Sequence, residues 1–322
     1  MKLYGIWVAQ NEADIIRETL EFFRKTQFYE RIFFYDLGSE DNTFDIACEY
    51  PDIIREPQRL LVPYSGQLRV DLINRHRDWY RDGDWIAIID SDEFYLHEPS
   101  LTIAAAEKEH AEVIETYFAT FYLTDTEVAT WHSEDLSASI RERRRYYVVN
   151  WSEARFYKFV TTPRSDTCIN IAGNMASHFP LHTHYPYRSP EQITAKVQSR
   201  LKNRAAGGNS QYHIFSADWR SYIVKHTELQ RYDGASITYG LPARLDWKQY
   251  YNFWNNLPSG WRNPAYNNVN IHWLMKHGFI GPWTKPELSL KAIGKFVQLL
   301  SGRTHVPKIH GRGLSAIAPR KW

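Results

Sequence analysis

The chain has 322 residues, of which 43% are hydrophobic and 24% are charged, and this composition excludes a largely disordered protein. The formal net charge of +2 argues against nucleic acid as the main partner, because proteins that track phosphates carry a strong basic excess. Only two cysteines are present, Cys48 and Cys168. A disulfide framework is therefore not expected, and a reducing compartment, the cytoplasm, is the expected location.

Strand and helix signals alternate along the N-terminal part of the chain. Short apolar runs predict strands over residues 3–9, 31–35, 52–55 and 85–89. Helical patterns follow Asn11, which is expected to cap the first helix, and recur over residues 44–49 and 67–79. This alternation predicts an α/β fold, with a mostly parallel sheet flanked by helices on both faces.

Three polar segments directly follow predicted strands: Gln10 to Glu12, Asp36 to Thr43, and Asp90 to Glu93. Ligands of such sheets bind outside the carboxyl ends of the strands, so the three segments are expected to share one site. Asp90 and Asp92 are two residues apart, and in an extended segment their carboxylates would point the same way, toward one cation. Oxygen ligands without a nearby cysteine favour Mn²⁺ or Mg²⁺.

The later part of the chain changes character. Residues 113–160 are rich in strand-forming and aromatic residues. A basic run at 141–145 is typical of a solvated helix face, and a phosphate or lipid contact is the alternative. A helix is predicted after Ser189, with Ser189 as its cap and Pro190 in its first turn. The predicted domains are residues 1–205, which would hold nucleotide sugar and metal, and an aromatic-rich, mainly helical region 206–322, which would form the acceptor side. Aromatic residues make up 15% of the chain, enough to supply flat apolar platforms for sugar rings as well as a core.

The segments Val8–Glu12, Asp36–Thr43 and Ile88–Glu93, in this order, resemble the motifs of family-2 glycosyltransferases with the GT-A fold. The most specific of them is the Asp-x-Gly-Ser-x-Asp-x-Thr pattern of residues 36–43, and the later segment 184–192 resembles a branch of the same superfamily. The resemblance implies a Rossmann-like GT-A sheet, a nucleotide-sugar donor (usually a UDP-sugar), a divalent metal and inversion at the anomeric carbon. One departure is Gln10, where relatives often carry Lys or Arg.

The resemblance also implies roles for individual residues. Ala9 and Glu12 would lie beside the nucleotide, Asp36 would bind the base or ribose, and Asp41 would shape that pocket. For Glu12 and Asp41 the alternative is an acid at a helix start, favoured by the helix dipole. The full set of predicted donor-binding residues is Ala9, Asn11, Glu12, Asp36, Asp41, Asp90, Ser91 and Arg188.

Three further roles follow from the chemistry that such a transfer needs. His184 is predicted to join Asp90 and Asp92 in the metal shell, with His182 and His178 as substitutes; the alternative is a turn with core histidines. Arg188 precedes a capped helix whose N-terminus attracts anions, so a diphosphate contact is predicted there. A general base must deprotonate the acceptor hydroxyl. Its candidates are Asp135, which we favour, Glu134 and Glu153.

The C-terminal segment 285–322 carries eight Lys or Arg residues and one acid, Glu287. We expect it to touch an anionic membrane surface at the inner face of the membrane, or to form a docked helix followed by a solvated basic tail.

The sequence therefore predicts a metal-dependent glycosyltransferase of the hexosyltransferase class, with a glycan or lipid-linked acceptor and a role in polysaccharide biosynthesis by analogy with the family. Two alternatives stay open: a non-catalytic glycan-binding protein on the same fold, and a metal-dependent phosphohydrolase. The intact acid triplet at residues 90–92 argues against the first, and the nucleotide-type motifs argue against the second.

Overall fold

The computed structural model describes residues 1–96, 98–161, 167–171, 173–176, 180–206, 216–234 and 237, with only the backbone of residues 150–152. The strands are β1 (Leu3–Ala9), β2 (Arg31–Asp36), β3 (Gln58–Arg59), β4 (Trp85–Ile89), β5 (Glu93–Tyr95), β6 (Val113–Phe121), β7 (Tyr146–Lys158), β8 (Leu181–His184) and β9 (Gln230–Arg231). The helices are α1 (Ile16–Thr26), α2 (Thr43–Cys48), α3 (Gly66–Arg75), α4 (Pro99–Lys108), α5 (Asp125–Thr130), α6 (Ile140–Arg143) and α7 (Pro190–Ala205).

The described strands form one sheet in the order β3-β2-β1-β4-β7-β6-β8-β5, with β9 paired to β7. The prediction of an α/β fold is confirmed, but the sheet is mixed and not mostly parallel. Strands β3, β2, β1 and β4 run parallel, whereas β7 is antiparallel to both β4 and β6, and β5 is antiparallel to β8. The direction of these later strands depends on pairing between distant segments, which an apolar pattern does not record.

Helices cover both faces of the sheet, as the sequence predicts. On one face Trp7 of β1 packs with Leu20 of α1 and Ile103 of α4. On the other face Ile6 packs with Leu72 of α3. Because β1 and β4 are buried on both faces, their sequences are continuous apolar runs. Their carboxyl ends therefore project polar residues from a rigid core.

Two local predictions are wrong. Asn11 does not cap α1, which begins at Ile16 without a side-chain cap; Asn11 instead has a positive φ of 55°, a conformation that asparagine tolerates. Residues 52–55 are not a strand, because the amide of Ile54 donates to the carbonyl of Tyr50 in a turn that follows α2. The third strand is β3, at 58–59.

The predicted cap of α7 is confirmed, since the Ser189 hydroxyl accepts a hydrogen bond from the amide of Gln192. Residues 216–234 pack on this part of the chain, with Tyr222 and Leu229 in one apolar cluster with Ile193 of α7. The division at residue 205 stays a prediction, and the tail 285–322 lies outside the described residues. Among the helices that the structure describes, none is long and apolar enough to cross a membrane.

Candidate active site

The loops that follow β1 and β2 are held together by hydrogen bonds. The backbone amide of Asn11 donates to the Ser39 hydroxyl at 2.9 Å, and the Asn11 side-chain oxygen accepts from the amide of Glu40 at 2.8 Å. Asn11 therefore fixes the two loops to each other. Its predicted contact with a nucleotide stays a prediction.

A second set of bonds joins the same loops at the start of α2. The Glu12 amide donates to the Thr43 hydroxyl at 2.7 Å, and the Ala13 amide donates to the Asp41 carboxylate at 3.1 Å. Asp41 also accepts from the Thr43 amide at 3.0 Å. Asp41 thus holds the loops after β1 and β2 together, and it is also an acid at the start of α2. The nucleotide pocket predicted at these loops stays a prediction.

Asp36 ends β2 and is fully buried. Its carboxylate accepts hydrogen bonds from the amides of Gly38 and Ser39, at 3.1 and 3.0 Å, and from the Ser39 hydroxyl. Gly38 has a φ of +72°, a backbone conformation that other residues rarely adopt, so the turn favours glycine. These bonds explain the Asp-x-Gly-Ser pattern. The predicted contact of Asp36 with a nucleoside stays a prediction.

Ser91 is buried, its side chain contacts β1, and its backbone carbonyl contacts α1. Its hydroxyl accepts a hydrogen bond from Trp7 Nε1 at 2.9 Å, and its carbonyl accepts from the Thr19 hydroxyl. Ala9 is likewise buried, and its carbonyl accepts from the Leu37 amide at 2.9 Å. Both residues lie at the predicted edge of the sheet, and their predicted donor contacts stay predictions.

Asp90 and Asp92 have different partners, because the chain turns between them and brings the Glu93 amide to 3.4 Å from the Asp90 carbonyl. Asp90 contacts two arginines, with Arg69 Nη2 at 2.5 Å and Arg155 Nη2 at 2.7 Å. Burial opposes ionisation of Asp90, but Arg69 and Arg155 lower its pKa below the usual range. Asp90 is therefore an ionised carboxylate between two guanidinium groups.

Asp92 is buried on the other side of the turn. Its carboxylate lies 3.1 Å from Lys196 Nζ, 3.5 Å from Arg188 Nη1 and 3.7 Å from His184 Nε2. Although burial favours the protonated acid, Lys196, His184 and Arg188 together hold the pKa of Asp92 well below its usual range.

Arg188 links three segments of the site and is almost completely buried. Its Nε and Nη2 donate to both carboxylate oxygens of Asp14 at 2.7 Å, and Nη2 also donates to Glu12 at 2.5 Å. Its Nη1 donates to the Tyr185 carbonyl at 2.9 Å and lies near Asp92. The five N–H groups of the guanidinium thus all have acceptors. The predicted contact of Arg188 with a diphosphate stays a prediction.

Asp92, Glu93 and His184 could hold a metal ion, because one ligand atom from each lies within 4.8 Å of the others. The antiparallel pairing of β5 with β8 sets Glu93 opposite His184, and the Tyr185 amide donates to the Asp92 carbonyl at 2.8 Å. Burial lowers the pKa of His184 to about 4, so its imidazole is neutral at pH 7. Burial also raises the pKa of Glu93 well above its usual value.

This donor set fits a divalent cation. Two carboxylates and a neutral imidazole suit Mn²⁺ better than Mg²⁺, which prefers oxygen ligands alone, and Glu93 would lose its proton when the ion binds. The structure brings the predicted ligands Asp92 and His184 together, but the third ligand of this group is Glu93 and not Asp90. Glu93, like Asp90, is also paired with Arg155. His182 is buried beside Tyr95, at a ring distance of 4.2 Å, and His178 lies outside the described residues.

The three predicted general bases lie in different environments. Glu153 of β7 lies 3.2 Å from Arg155 and 3.7 Å from Arg69, the two arginines that contact Asp90. These four residues form a charged cluster at the site. Glu134 is paired with Arg143 and with the buried Arg144.

The third predicted base, Asp135, which the sequence favours, is exposed. It accepts hydrogen bonds from the amide and the hydroxyl of Ser137, at 2.9 and 2.6 Å. Of the three acids, the structure brings Glu153 to the pair formed by Asp90 and its arginines.

No protein-family model matches this chain, and no curated protein matches it. Among solved structures, S. aureus TarS is 14% identical with a TM-score of 0.33, over 62% of this chain and 40% of TarS. TarS 1–349 in complex with UDP is 15% identical with a TM-score of 0.32, over 62% of this chain and 66% of that one. TarS 1–349 in complex with UDP-GlcNAc is 13% identical with a TM-score of 0.35, over 99% of this chain and 84% of that one.

This chain therefore spans less than half of the length of TarS and just under two thirds of the UDP complex. Likeness at this level assigns neither a family nor an activity to the chain. Membership of glycosyltransferase family 2 stays a prediction from the motifs.

Proposed function

We propose that this chain is a glycosyltransferase that uses a nucleotide-sugar donor, a UDP-sugar by the motif resemblance, together with Mn²⁺ or Mg²⁺. One observation carries the proposal: Asp92, Glu93 and His184, which suit a divalent cation, lie at the carboxyl edge of the sheet beside Lys196. A divalent cation and an ammonium group are the partners that a diphosphate needs. The loops after β1 and β2 adjoin this site and would bind the nucleoside.

In this proposal Asp92, Glu93 and His184 hold the metal, and Asp90 stays a predicted ligand that Arg69 and Arg155 share. When bound, the ion supplies positive charge to the leaving diphosphate. The bond between the anomeric carbon and the diphosphate oxygen breaks, and its electron pair stays on that oxygen. The acceptor oxygen forms the new bond at the anomeric carbon and loses its proton to a base.

Glu153 is the base that the geometry favours, because it lies beside Arg155 in the site and its side chain is 30% exposed, which leaves it open to an approaching hydroxyl. Asp135 and Glu134 stay as the other candidates. The acceptor in this proposal is a glycan or a lipid-linked glycan, and the enzyme would work in polysaccharide biosynthesis in the cytoplasm. If the basic tail holds it at a membrane, the full chain should bind anionic vesicles better than neutral ones; equal binding would contradict this part.

Isothermal titration of the protein with UDP, in the presence and absence of Mn²⁺, tests the proposal. We expect UDP binding that requires Mn²⁺ and is lost in Asp92→Asn, because the amide removes a charged metal ligand. The matched control is Asp52→Asn, which removes an exposed carboxylate paired with Arg24 and should leave UDP binding unchanged.

Three results would contradict the proposal. UDP binding that survives in Asp92→Asn would show that Asp92 does not hold a metal ion that UDP binding needs. Glycan binding without metal or nucleotide would favour a non-catalytic glycan-binding protein. Release of phosphate from simple monoesters would favour the phosphohydrolase.

A further inference from the structure

One face of α7 spans the loops of the candidate site. Lys196 contacts Asp92, and Ser199, three residues on, donates a hydrogen bond to Gln10 in the loop after β1 at 2.9 Å. Lys202, a further three residues on, pairs with Glu40 in the loop after β2 at 2.6 Å. Residues at this spacing share one face of a helix. The helix therefore runs from the metal-binding residues toward the loops predicted to hold the nucleoside.

Lys196 lies where these two parts of the site meet. In a nucleotide-sugar, the diphosphate is the group that joins the nucleoside to the sugar. If the nucleoside binds at the loops after β1 and β2 and the metal binds at Asp92, then the diphosphate has to pass beside Lys196.

The cations of the site differ in what they can offer a ligand. Arg188 and Arg155 are each 1% exposed, and the N–H groups of Arg188 are all engaged by acceptors of the chain. Arg69 is paired with Asp90 and Glu153. Lys196 is 14% exposed, and its described contacts are to Asp92 and to the Pro186 carbonyl at 3.3 Å. An ammonium has three N–H groups, so one is left for a phosphate oxygen.

We infer that Lys196 binds the diphosphate of the donor, and that Arg188 is a positioning residue that fixes Glu12 and Asp92 around it. The inference rests on the proposed function, because it assigns a residue to the donor of that reaction. Lys196 has two tasks here: it balances the charge of Asp92 and it contacts the phosphate.

The experiment compares Lys196→Met with the unaltered protein by isothermal titration, first with Mn²⁺ alone and then with UDP at saturating Mn²⁺. We expect the affinity for UDP to fall by about 10- to 100-fold, the range for a lost charge-assisted hydrogen bond. The affinity for Mn²⁺ alone should not fall, because the variant removes a positive charge next to Asp92. Lys196→Arg keeps the charge and should retain most of the UDP affinity.

The matched control is Lys158→Met. Lys158 is also a partly buried lysine in an ion pair, with Glu107 at 2.6 Å. It lies opposite Trp85, at the end of β4 that is away from Asp90 and the site. We expect this variant to bind UDP like the unaltered protein.

Three other outcomes of these titrations would contradict the inference or the proposed function. If Lys196→Met binds UDP as well as the unaltered protein does, the inference fails and the proposed function stands. If Mn²⁺ and UDP affinities fall together, Lys196 only maintains the structure of the site, and the inference also fails. If the unaltered protein binds Mn²⁺ but not UDP, the proposed function fails and the inference falls with it.

Discussion

Charge pairing at the level of single residues decides how the site is built. Arg188 is the clearest case, since it holds Glu12, Asp14 and Asp92, which come from two separate segments. A buried charge that loses its partner is costly, because neither water nor an opposite charge then compensates it. Such an arrangement stabilises the site only while every member is present.

Replacing Arg188 with methionine should therefore destabilise the protein strongly. We expect Arg188→Met to lower the free energy of unfolding by about 3–5 kcal/mol, because it removes the buried cation of Glu12 and Asp14 and leaves buried Asp92 with Lys196 alone among the described cations. Urea denaturation followed by circular dichroism measures this change. The control is Arg220→Met, which removes an exposed arginine paired with Asp218 and should change stability by less than about 1 kcal/mol. Equal stabilities of the two variants would show that Arg188 is not the link between these segments.

The sequence predicts the acids of the site better than their cations. Asp90, Asp92 and Glu12 follow strands whose apolar runs are plain, so their place at the sheet edge can be predicted. The cations come from distant segments: Arg69, Arg155 and Lys196 lie 21, 65 and 104 residues from the aspartate that each contacts. Spacing along the chain does not record such pairs. The polar stripe of α7, opposite the apolar stripe of Ile193 and Val197, is the signal that could have indicated Lys196.

At the scale of elements, the parallel half of the sheet is the part that the sequence predicts best. Strands β1, β2 and β4 are buried, continuous apolar runs. The helices between them make parallel pairing of these strands the expected topology. The antiparallel half is decided by the pairing of β6 with β7 and of β5 with β8. That second pairing matters for function, because it sets Glu93 opposite His184.

The packing of α3 against β2 gives a pH-dependent stability. His76 follows α3, and its ring stacks on Phe33 of β2 at 3.6 Å and contacts the Tyr35 hydroxyl. Burial, with Arg75 and Arg31 adding to it, lowers the pKa of His76 from 6.5 to about 4. Between these values the unfolded chain binds more protons than the folded chain. Stability is therefore expected to fall as the pH falls from about 6.5 toward 4.

Urea denaturation of the unaltered protein and of His76→Gln, at pH 7.5 and pH 5, measures this effect. Between pH 7.5 and pH 5 we expect the free energy of unfolding to fall by about 1–2 kcal/mol more in the unaltered protein than in His76→Gln. This value allows for the partial exposure of the ring. If the two proteins lose the same stability between these pH values, the neutral buried state of His76 is contradicted.

At the scale of the whole molecule, the site is a product of long-range assembly. Loops after β1, β2 and β4 and the start of β5 supply acids, and β7 and α3 supply arginines. His184 ends β8, Lys196 belongs to α7, and Arg188 lies in the segment between them. No short segment contains the site, so isolated motifs predict its class of chemistry and not its geometry. The described residues 216–234 also join this body, through the pairing of β9 with β7.

The measurement that tests the account most directly is a thermal-shift screen of the full chain against UDP, GDP, CDP and dTDP, with and without Mn²⁺. A ligand that binds the folded state raises the melting temperature, by about 4 °C at a hundredfold excess over the dissociation constant for a chain of this length. We predict that one nucleotide, UDP by the motif resemblance, gives this shift only when Mn²⁺ is present. A folded protein that none of the four nucleotides shifts would contradict the donor site, and a glycan-binding protein would then be the better account.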